Sequence, residues 1–173
     1  MEHTNTQITQ NDVKYRAYCD ASKKAMEIVS AFAIVDADDR LVAHDTAQYH
    51  RKVNDTVFAE LLAVYQAVEA AVKLGIKRLT VITDCLIVAT TVRERDSEFK
   101  KSHKHIKNDL LRKIRKLMKH FTSIKFKHQK RNNNKFADSL CHAHWAGAIM
   151  RTHHKHVMIM KKAVEGRDYV FHT

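Results

Sequence analysis

Two aspartates follow apolar stretches that have the character of buried strands. The pattern Tyr15-Arg16-Ala17-Tyr18-Cys19 predicts a strand that ends at Asp20, and Leu79-Thr80-Val81-Ile82-Thr83 predicts one that ends at Asp84. A carboxylate at the end of a buried strand is unfavourable unless a partner, usually a cation, pairs with it. Sites of this kind form at the carboxyl edge of a sheet. A lone Asp there is more often a turn cap, so the interpretation depends on further acids.

A third acid, Glu60, lies in a segment that predicts a helix. The apolar residues that recur there at helical spacing are Val57, Leu61, Val64, Val68 and Val72. The residues that offer N-cap oxygens are Asn54, Asp55 and Thr56. Glu60 lies at the edge of the apolar face, directed towards the sheet. Glu69, nine positions further on, points the opposite way at about 100° per residue and is interpreted as a solvated surface charge.

The order of the elements indicates an α/β domain. A strand at 28–35 and another from Leu41 are joined by a short acidic turn and predict an antiparallel hairpin. A helix separates the strands that end at Asp20 and Asp84, so a right-handed crossover makes these strands parallel neighbours. The remaining elements are a strand at 123–128, a polar loop at 129–134 and a helix from Lys135.

Residues 99–120 predict a strongly basic helix. Its apolar stripe consists of Ile106, Leu110, Leu111, Ile114, Leu117 and Met118. Lysines and arginines, Lys107 among them, cover the remainder, with Asp109 as the single acid. The formal net charge of +12 at pH 7 favours a polyanionic partner, either nucleic acid or an acidic membrane face. Because a basic face is often only solvated, the helix alone does not identify the partner.

The 173 residues suit one domain with a sizeable core. Residues 1–12 are predicted to be a disordered N-terminus, 13–147 the domain and 148–173 a basic C-terminal extension. No apolar run is long enough to cross a bilayer and no secretion signal is evident, so a cytoplasmic location without a membrane partner is predicted. The three cysteines lack CxxC spacing and are expected to be free thiols. No protein partner is implied.

Four short motifs, taken together and in this order, resemble the ribonuclease H family, type I. They are Asp20-Ala21-Ser22, Ala59-Glu60-Leu61, Thr83-Asp84-Cys85 and Asn134-x-x-Ala137-Asp138. Each motif is weak alone, but together they cover roughly residues 13–147. The resemblance implies an α/β fold of the RNase H-like type. In this fold a five-stranded mixed sheet, three antiparallel strands and then two parallel ones, is flanked by helices.

The resemblance also implies an activity and the residues that perform it. The family hydrolyses the RNA strand of RNA–DNA hybrids with two Mg²⁺ ions, which Mn²⁺ can replace. Its catalytic, metal-binding carboxylates carry over onto four residues: Asp20, Glu60, Asp84 and Asp138. Asp20 would bridge both ions, Asp138 would serve one, and the other two acids mainly the second. Hard divalent cations prefer oxygen ligands and would relieve the repulsion within such a cluster.

Residues that handle the substrate are less well marked than the acids. In the family, contacts to 2′-hydroxyls come partly from residues near the first Asp and the Glu, which makes Ser22 and Thr56 candidates. Many members have a histidine before the last Asp that helps product leave, and His128 is the catalytic candidate for this role. Alternatively, His128 ends its strand and Arg131 is the working residue of the loop. Asn134 is a further candidate for substrate binding.

Two other functions remain open on the sequence. A non-cleaving nucleic-acid-binding module could keep the fold and the basic face, although a pure binder has no use for four repelling carboxylates. A DNA nuclease or Holliday-junction resolvase of the same superfamily is the other alternative. The motif from Asn134 to Asp138 favours the ribonuclease over it.

Overall fold

The computed structural model of the chain describes residues 12–24, 27–50 and 55–145. The strands are β1 (Lys14–Lys24), β2 (Glu27–Val35), β3 (Leu41–His50), β4 (Arg78–Thr83) and β5 (Ser123–His128). The helices are α1 (Thr56–Lys73), α2 (Leu86–Arg93), α3 (Lys104–Met118) and α4 (Lys135–Trp145), with a 3₁₀ turn at Arg131–Asn133. The predicted N-terminus, apart from Asp12, and the predicted extension 148–173 lie outside the described residues.

The strands form one sheet in the order β3-β2-β1-β4-β5. β3, β2 and β1 are antiparallel neighbours, whereas β1, β4 and β5 run parallel. Parallel strands need crossover connections, which α1 provides before β4 and α2 with α3 provide before β5. The predicted α/β fold with a five-stranded mixed sheet is therefore confirmed. Within the described part of the chain, no helix has the length and apolar character that crossing a membrane requires.

The core lies between the sheet and α1. Leu61 and Val68 are fully buried at the spacing that predicted the helix. Asp55 caps the helix, since its Oδ1 accepts a hydrogen bond from the Phe58 N–H at 3.1 Å. The cap fixes the start of α1 and thereby places Glu60 in its second turn.

The basic helix differs from its prediction. α3 begins at Lys104, and Phe99 lies in the preceding loop, where its N–H donates to a side chain of α3 at 2.8 Å. Lys107, predicted on the solvated face, is 3% exposed and donates to Asp55 Oδ2 at 2.8 Å. Ile106, predicted to be buried, is 38% exposed. The spacing of apolar residues predicted that Ile106 is buried. Lys107 is buried in its place, because it forms an ion pair with Asp55.

Candidate active site

Asp20 lies where the parallel half of the sheet ends. The ladder between β1 and β4 stops at the pair Cys19 and Thr83, and Asp84 follows directly. β1 itself continues to Lys24, so the prediction that this strand ends at Asp20 is wrong. Antiparallel pairing with β2 keeps the strand extended past the site. The two aspartates still share the carboxyl edge of the parallel ladder.

Three acids meet at this edge. Asp20, Glu60 and Asp84 each offer a carboxylate oxygen, and these oxygens all lie within 4.8 Å of one another. Asp20 lies in β1 and Asp84 directly follows β4, whereas Glu60 reaches the group from α1. Asp20 is only 2% exposed. This group of three residues is named the acidic cluster.

Burial and the repulsion between carboxylates raise pKa values in the acidic cluster. Burial, together with the negative charges of Asp84 and Asp138, raises the pKa of Asp20 to about 7. Burial and the charges of Asp20 and Asp84 raise the pKa of Glu60 well above its ordinary value. Among the described residues, Asp20 Oδ2 and Glu60 Oε2 are buried without a hydrogen-bond partner. Burying a carboxylate oxygen without a partner is unfavourable unless a ligand binds to it. The cluster therefore fits a hard divalent cation, which prefers oxygen ligands.

Asp138 lies beside the acidic cluster. Its Oδ1 accepts a hydrogen bond from the Arg131 guanidinium at 2.9 Å, and its Oδ2 is 3.5 Å from His142 Nδ1. Its charge is near enough to raise the pKa of Asp20. The structure thus brings three of the four predicted metal ligands together and leaves the fourth paired with Arg131.

His128 and Arg131 occupy different positions near these acids. His128 is the last residue of β5, and its exposed ring places Nε2 3.1 Å from the carbonyl oxygen of Asp84. Arg131 lies in the 3₁₀ turn, and its hydrogen bond to Asp138 raises the pKa of the guanidinium. Of the two alternatives, these positions agree with His128 as the end of its strand and Arg131 as the loop residue that faces the acids. The role of either His128 or Arg131 in acting on a substrate stays a prediction.

The other substrate-binding candidates differ in access. Thr56 is exposed at the first residue of α1. Ser22 is half-buried, and its Oγ accepts a hydrogen bond from Trp145 Nε1 at 2.8 Å. Asn134 is 1% exposed, and its contact with substrate stays a prediction. Its Nδ2 donates to the carbonyl oxygen of Cys19 at 2.7 Å and holds the end of the β1–β4 ladder.

Sequence reasoning missed two of these contacts. Trp145 reaches Ser22 across 123 positions, and Asn134 reaches Cys19 across 115 positions. No local pattern signals such pairs, because the periodicities of helices and strands relate only near neighbours. Arg131, by contrast, lies seven positions before the last acid, and that spacing in a basic loop could have suggested their ion pair.

The chain is similar to several known proteins. A family model described as reverse transcriptase-like matches residues 18–144. No curated protein matches the chain. RNase H1 from the halophilic archaeon Halobacterium salinarum NRC-1 has 20% sequence identity and a TM-score of 0.67, over 78% of this chain and 99% of that chain. The N-terminal RNase H domain of Rv2228c from Mycobacterium tuberculosis, solved as a fusion with maltose binding protein, has 21% identity and a TM-score of 0.68, over 81% and 99%.

A third similar structure contains a nucleic acid. LC11-RNase H1, isolated from compost by a metagenomic approach, was crystallised in complex with an RNA/DNA hybrid. It has 16% identity and a TM-score of 0.60, over 73% of this chain and 93% of that chain. At these identities the likeness shows the ribonuclease H fold.

Proposed function

The chain belongs to the reverse transcriptase-like family and has the ribonuclease H fold, and on this premise we propose that it is an endoribonuclease. It hydrolyses the RNA strand of RNA–DNA hybrids with two divalent metal ions. The observation that carries the proposal is the acidic cluster, where buried oxygens of Asp20 and Glu60 have no partner among the described residues. The hybrid bound to LC11-RNase H1 supports the choice of substrate.

The acidic cluster would hold the ions, which we propose to be Mg²⁺, with Mn²⁺ as a substitute. When bound, such ions activate a water and stabilise the leaving oxygen of a phosphodiester. The chain itself holds three carboxylates at one edge of a packed sheet. Asp138 can join them when Arg131 leaves it. The Arg131 side chain is 66% exposed, so it can turn to a phosphate of the substrate.

The exposed face of α3 suits a polyanion. The exposed cations of α3 are Lys104, Arg112, Lys113 and Lys116. Contacts from such residues to phosphates make affinity steeply salt-dependent. Thr56 lies four positions before Glu60 on α1, so the two share a helix face, which supports Thr56 as a contact to a 2′-hydroxyl. Ser22 lies two positions after Asp20 on the same face of β1, and we propose the same role for it.

We also propose a reducing location, the cytoplasm. Cys19, Cys85 and Cys141 are all free. Burial raises the pKa of each of these thiols. A buried thiol with a raised pKa carries little of the reactive thiolate, which suits a structural role in a reducing compartment.

A cleavage assay tests the proposed activity. The full chain is incubated with a hybrid duplex labelled on either strand, or with duplex DNA, in Mg²⁺ or in EDTA. We expect metal-dependent cleavage of the RNA strand and its loss in Glu60→Gln. Glu69→Gln is the matched control on the same helix, because Glu69 accepts hydrogen bonds from Tyr65 and Lys73 and takes no part in the cluster.

Three results would point elsewhere. Hybrid binding without cleavage would identify a non-cleaving module, the first alternative. Cleavage confined to duplex DNA would identify a DNA nuclease of the same fold. Equal cleavage by Glu60→Gln and Glu69→Gln would contradict the assignment of the site.

A further inference from the structure

One face of the parallel half of the sheet has no described helix packed over it. The contact of Trp145 with Ser22 places α4 on the face of β1 that also carries Asp20. Side chains two positions apart share a face of a strand, so Tyr18 and Arg16 lie on this face as well. However, α4 packs mainly on β1, β2 and β3. α1 and α2 pack on the opposite face, so none of the helices at 55–145 covers β4 and β5 on this one.

The uncovered face is basic. Its six charged or aromatic residues, named the open basic face, are Lys14, Arg16, Tyr18, Arg78, Lys125 and Lys127. The register of the parallel ladders sets them in adjacent rows across all three strands. The other residues of these rows are uncharged: Thr80, Ile82 and Ser123. Arg16, Tyr18 and Lys127 line one shallow depression, and Lys14, Arg78 and Lys125 line the next.

Two exposed acids pair with cations of the open basic face. Asp39 pairs with Arg16, and Asp12 lies 3.7 Å from Arg78. Both carboxylates are exposed, at 71% and 61% of their side chains. Exposed ion pairs are weak, so phosphates can replace these acids. The two lysines of β5 are exposed as well.

The chemistry of this face selects one kind of partner. Rows of cations attract a polyanion, and the ring of Tyr18 among them offers a stacking surface for a base. A duplex keeps its bases stacked inside, so only an unpaired strand can use both features. The C-terminal extension, residues 148–173, is itself basic and is not complementary to the face. We propose that the open basic face binds single-stranded nucleic acid, as a second surface separate from α3.

The open basic face leads towards the acidic cluster. Tyr18 lies two positions before Asp20 on the same face of β1. A single strand bound along β1 would therefore continue to the proposed site of hydrolysis. The inference goes beyond hybrid cleavage, because it concerns unpaired nucleic acid and requires no metal.

Binding measurements test the proposal independently of cleavage. Fluorescence anisotropy of the full chain in EDTA is followed with labelled oligo-dT and oligo-rU of about 15 nucleotides and with a hybrid duplex. We expect Lys125→Gln with Lys127→Gln to weaken single-strand binding about tenfold. The salt slope should fall by about 1.4, at about 0.7 for each lost phosphate contact. The two oligonucleotides distinguish DNA from RNA.

The matched control is a pair of exposed lysines on the basic helix. We expect Lys113→Gln with Lys116→Gln to weaken hybrid binding and to leave single-strand binding within about twofold. If both double variants lose affinity for single strands and for the hybrid to the same extent, binding depends only on the overall charge of the protein, and the proposal is overturned. An unaltered protein that does not bind single strands would overturn it too.

Tyr18 provides a second test that does not change charge. Tyr18→Leu keeps an apolar side chain but removes the ring, and we expect single-strand affinity to fall about fivefold or more. Tyr18→Phe keeps the ring and should bind as the unaltered protein does. Far-UV circular dichroism checks that both variants are folded. Equal single-strand affinity in the two variants would overturn the choice of an unpaired strand.

Discussion

The acidic cluster and the N-cap of α1 each contain a buried aspartate, and their surroundings differ. Asp20 is 2% exposed and Asp55 is 7% exposed. Asp55 accepts hydrogen bonds from Lys107 Nζ at 2.8 Å and from the Phe58 N–H at 3.1 Å. Burial alone would raise the pKa of Asp55, but these hydrogen bonds and the charge of Lys107 lower it. Asp20 faces other acids instead, and burial together with their charges raises its pKa to about 7.

This difference separates a structural acid from a candidate functional one. When the chain pairs a buried charge with its own cation, removing either partner leaves an uncompensated charge inside the protein. When a buried carboxylate lies beside like charges, we expect a ligand to bind there. Asp55 therefore belongs to the frame that joins α1 to α3, and Asp20 belongs to the proposed site.

The largest effect is expected when the site loses its charge. Asp20→Asn replaces the carboxylate by a neutral amide of the same shape, and metal-ion catalysis contributes several kcal/mol. We expect hybrid cleavage to fall about a thousandfold, since about 1.4 kcal/mol corresponds to a factor of ten. Initial rates in saturating Mg²⁺ measure the loss, with circular dichroism as the check on folding. A loss below about tenfold would place the metal chemistry elsewhere.

Removing the internal cation tests the other aspartate. Lys107→Met removes the buried cation that pairs with Asp55 and leaves the carboxylate with the Phe58 N–H on Oδ1 and His103 Nδ1 at 3.6 Å from Oδ2. We expect the free energy of unfolding to fall by about 3 kcal/mol in urea denaturation. Lys113→Met, on the exposed face of the same helix, should change it by less than about 0.5 kcal/mol. Adding Asp55→Asn to Lys107→Met should recover most of the loss, because Asn also caps helices. No recovery would contradict the ion pair as the cause.

The stabilisation by Mg²⁺ should depend on Asp20 and not on the ion pair between Lys107 and Asp55. Mg²⁺ at about 100 times its Kd should raise the free energy of unfolding by about 2.7 kcal/mol, because it binds the folded chain only. Urea denaturation in MgCl₂ and in EDTA measures the difference. Asp20→Asn should abolish the increment, whereas Lys107→Met should keep it on a lower baseline. An undiminished increment in Asp20→Asn would mean that Mg²⁺ binds at another place.

The smallest effect is expected from pH in EDTA. The pKa of Asp20 is raised from 3.8 to about 7, so between these values the folded chain binds more protons than the unfolded chain. The free energy of unfolding should therefore fall as pH rises from about 4 to about 7. We expect about 1–2 kcal/mol, because the acids share protons and one pKa unit corresponds to about 1.4 kcal/mol.

Denaturation at several pH values checks this slope. Asp20→Asn should flatten it. Asp55, whose pKa is lowered, acts in the opposite sense, because its contribution is present above its ordinary pKa and is lost at more acidic pH. Stability that increases from about pH 4 to about pH 7 in EDTA would contradict the account of the acidic cluster.

Patterns along the chain were sufficient to predict the fold and to predict that Asp20 lies close to Asp84. β5 has the predicted bounds 123–128, and α1 begins within the predicted N-cap residues. These elements were predictable because each strand or helix buries one face, which fixes the spacing of its apolar residues. The meeting of Asp20 with Asp84 follows from the parallel ladder alone.

Contacts between distant residues were not predictable in this way. Lys107 is buried because Asp55, 52 positions away, accepts its hydrogen bond, and no spacing within α3 reveals that partner. Asp138 pairs with Arg131, whose position depends on the conformation of a loop. β1 extends past Asp20 because β2 continues to pair with it. In each case a tertiary contact overrides a local pattern.

The hydrogen bond between Asn134 and Cys19 joins residues 115 positions apart, and it bears on the moment at which the site forms. A ribosome delivers the chain from its N-terminus at about 5–20 residues per second. A nascent chain that has exposed the three acids of the cluster still lacks α4 and the amide that secures the end of β1. The proposed site should therefore be completed late, when α4 leaves the exit tunnel and docks.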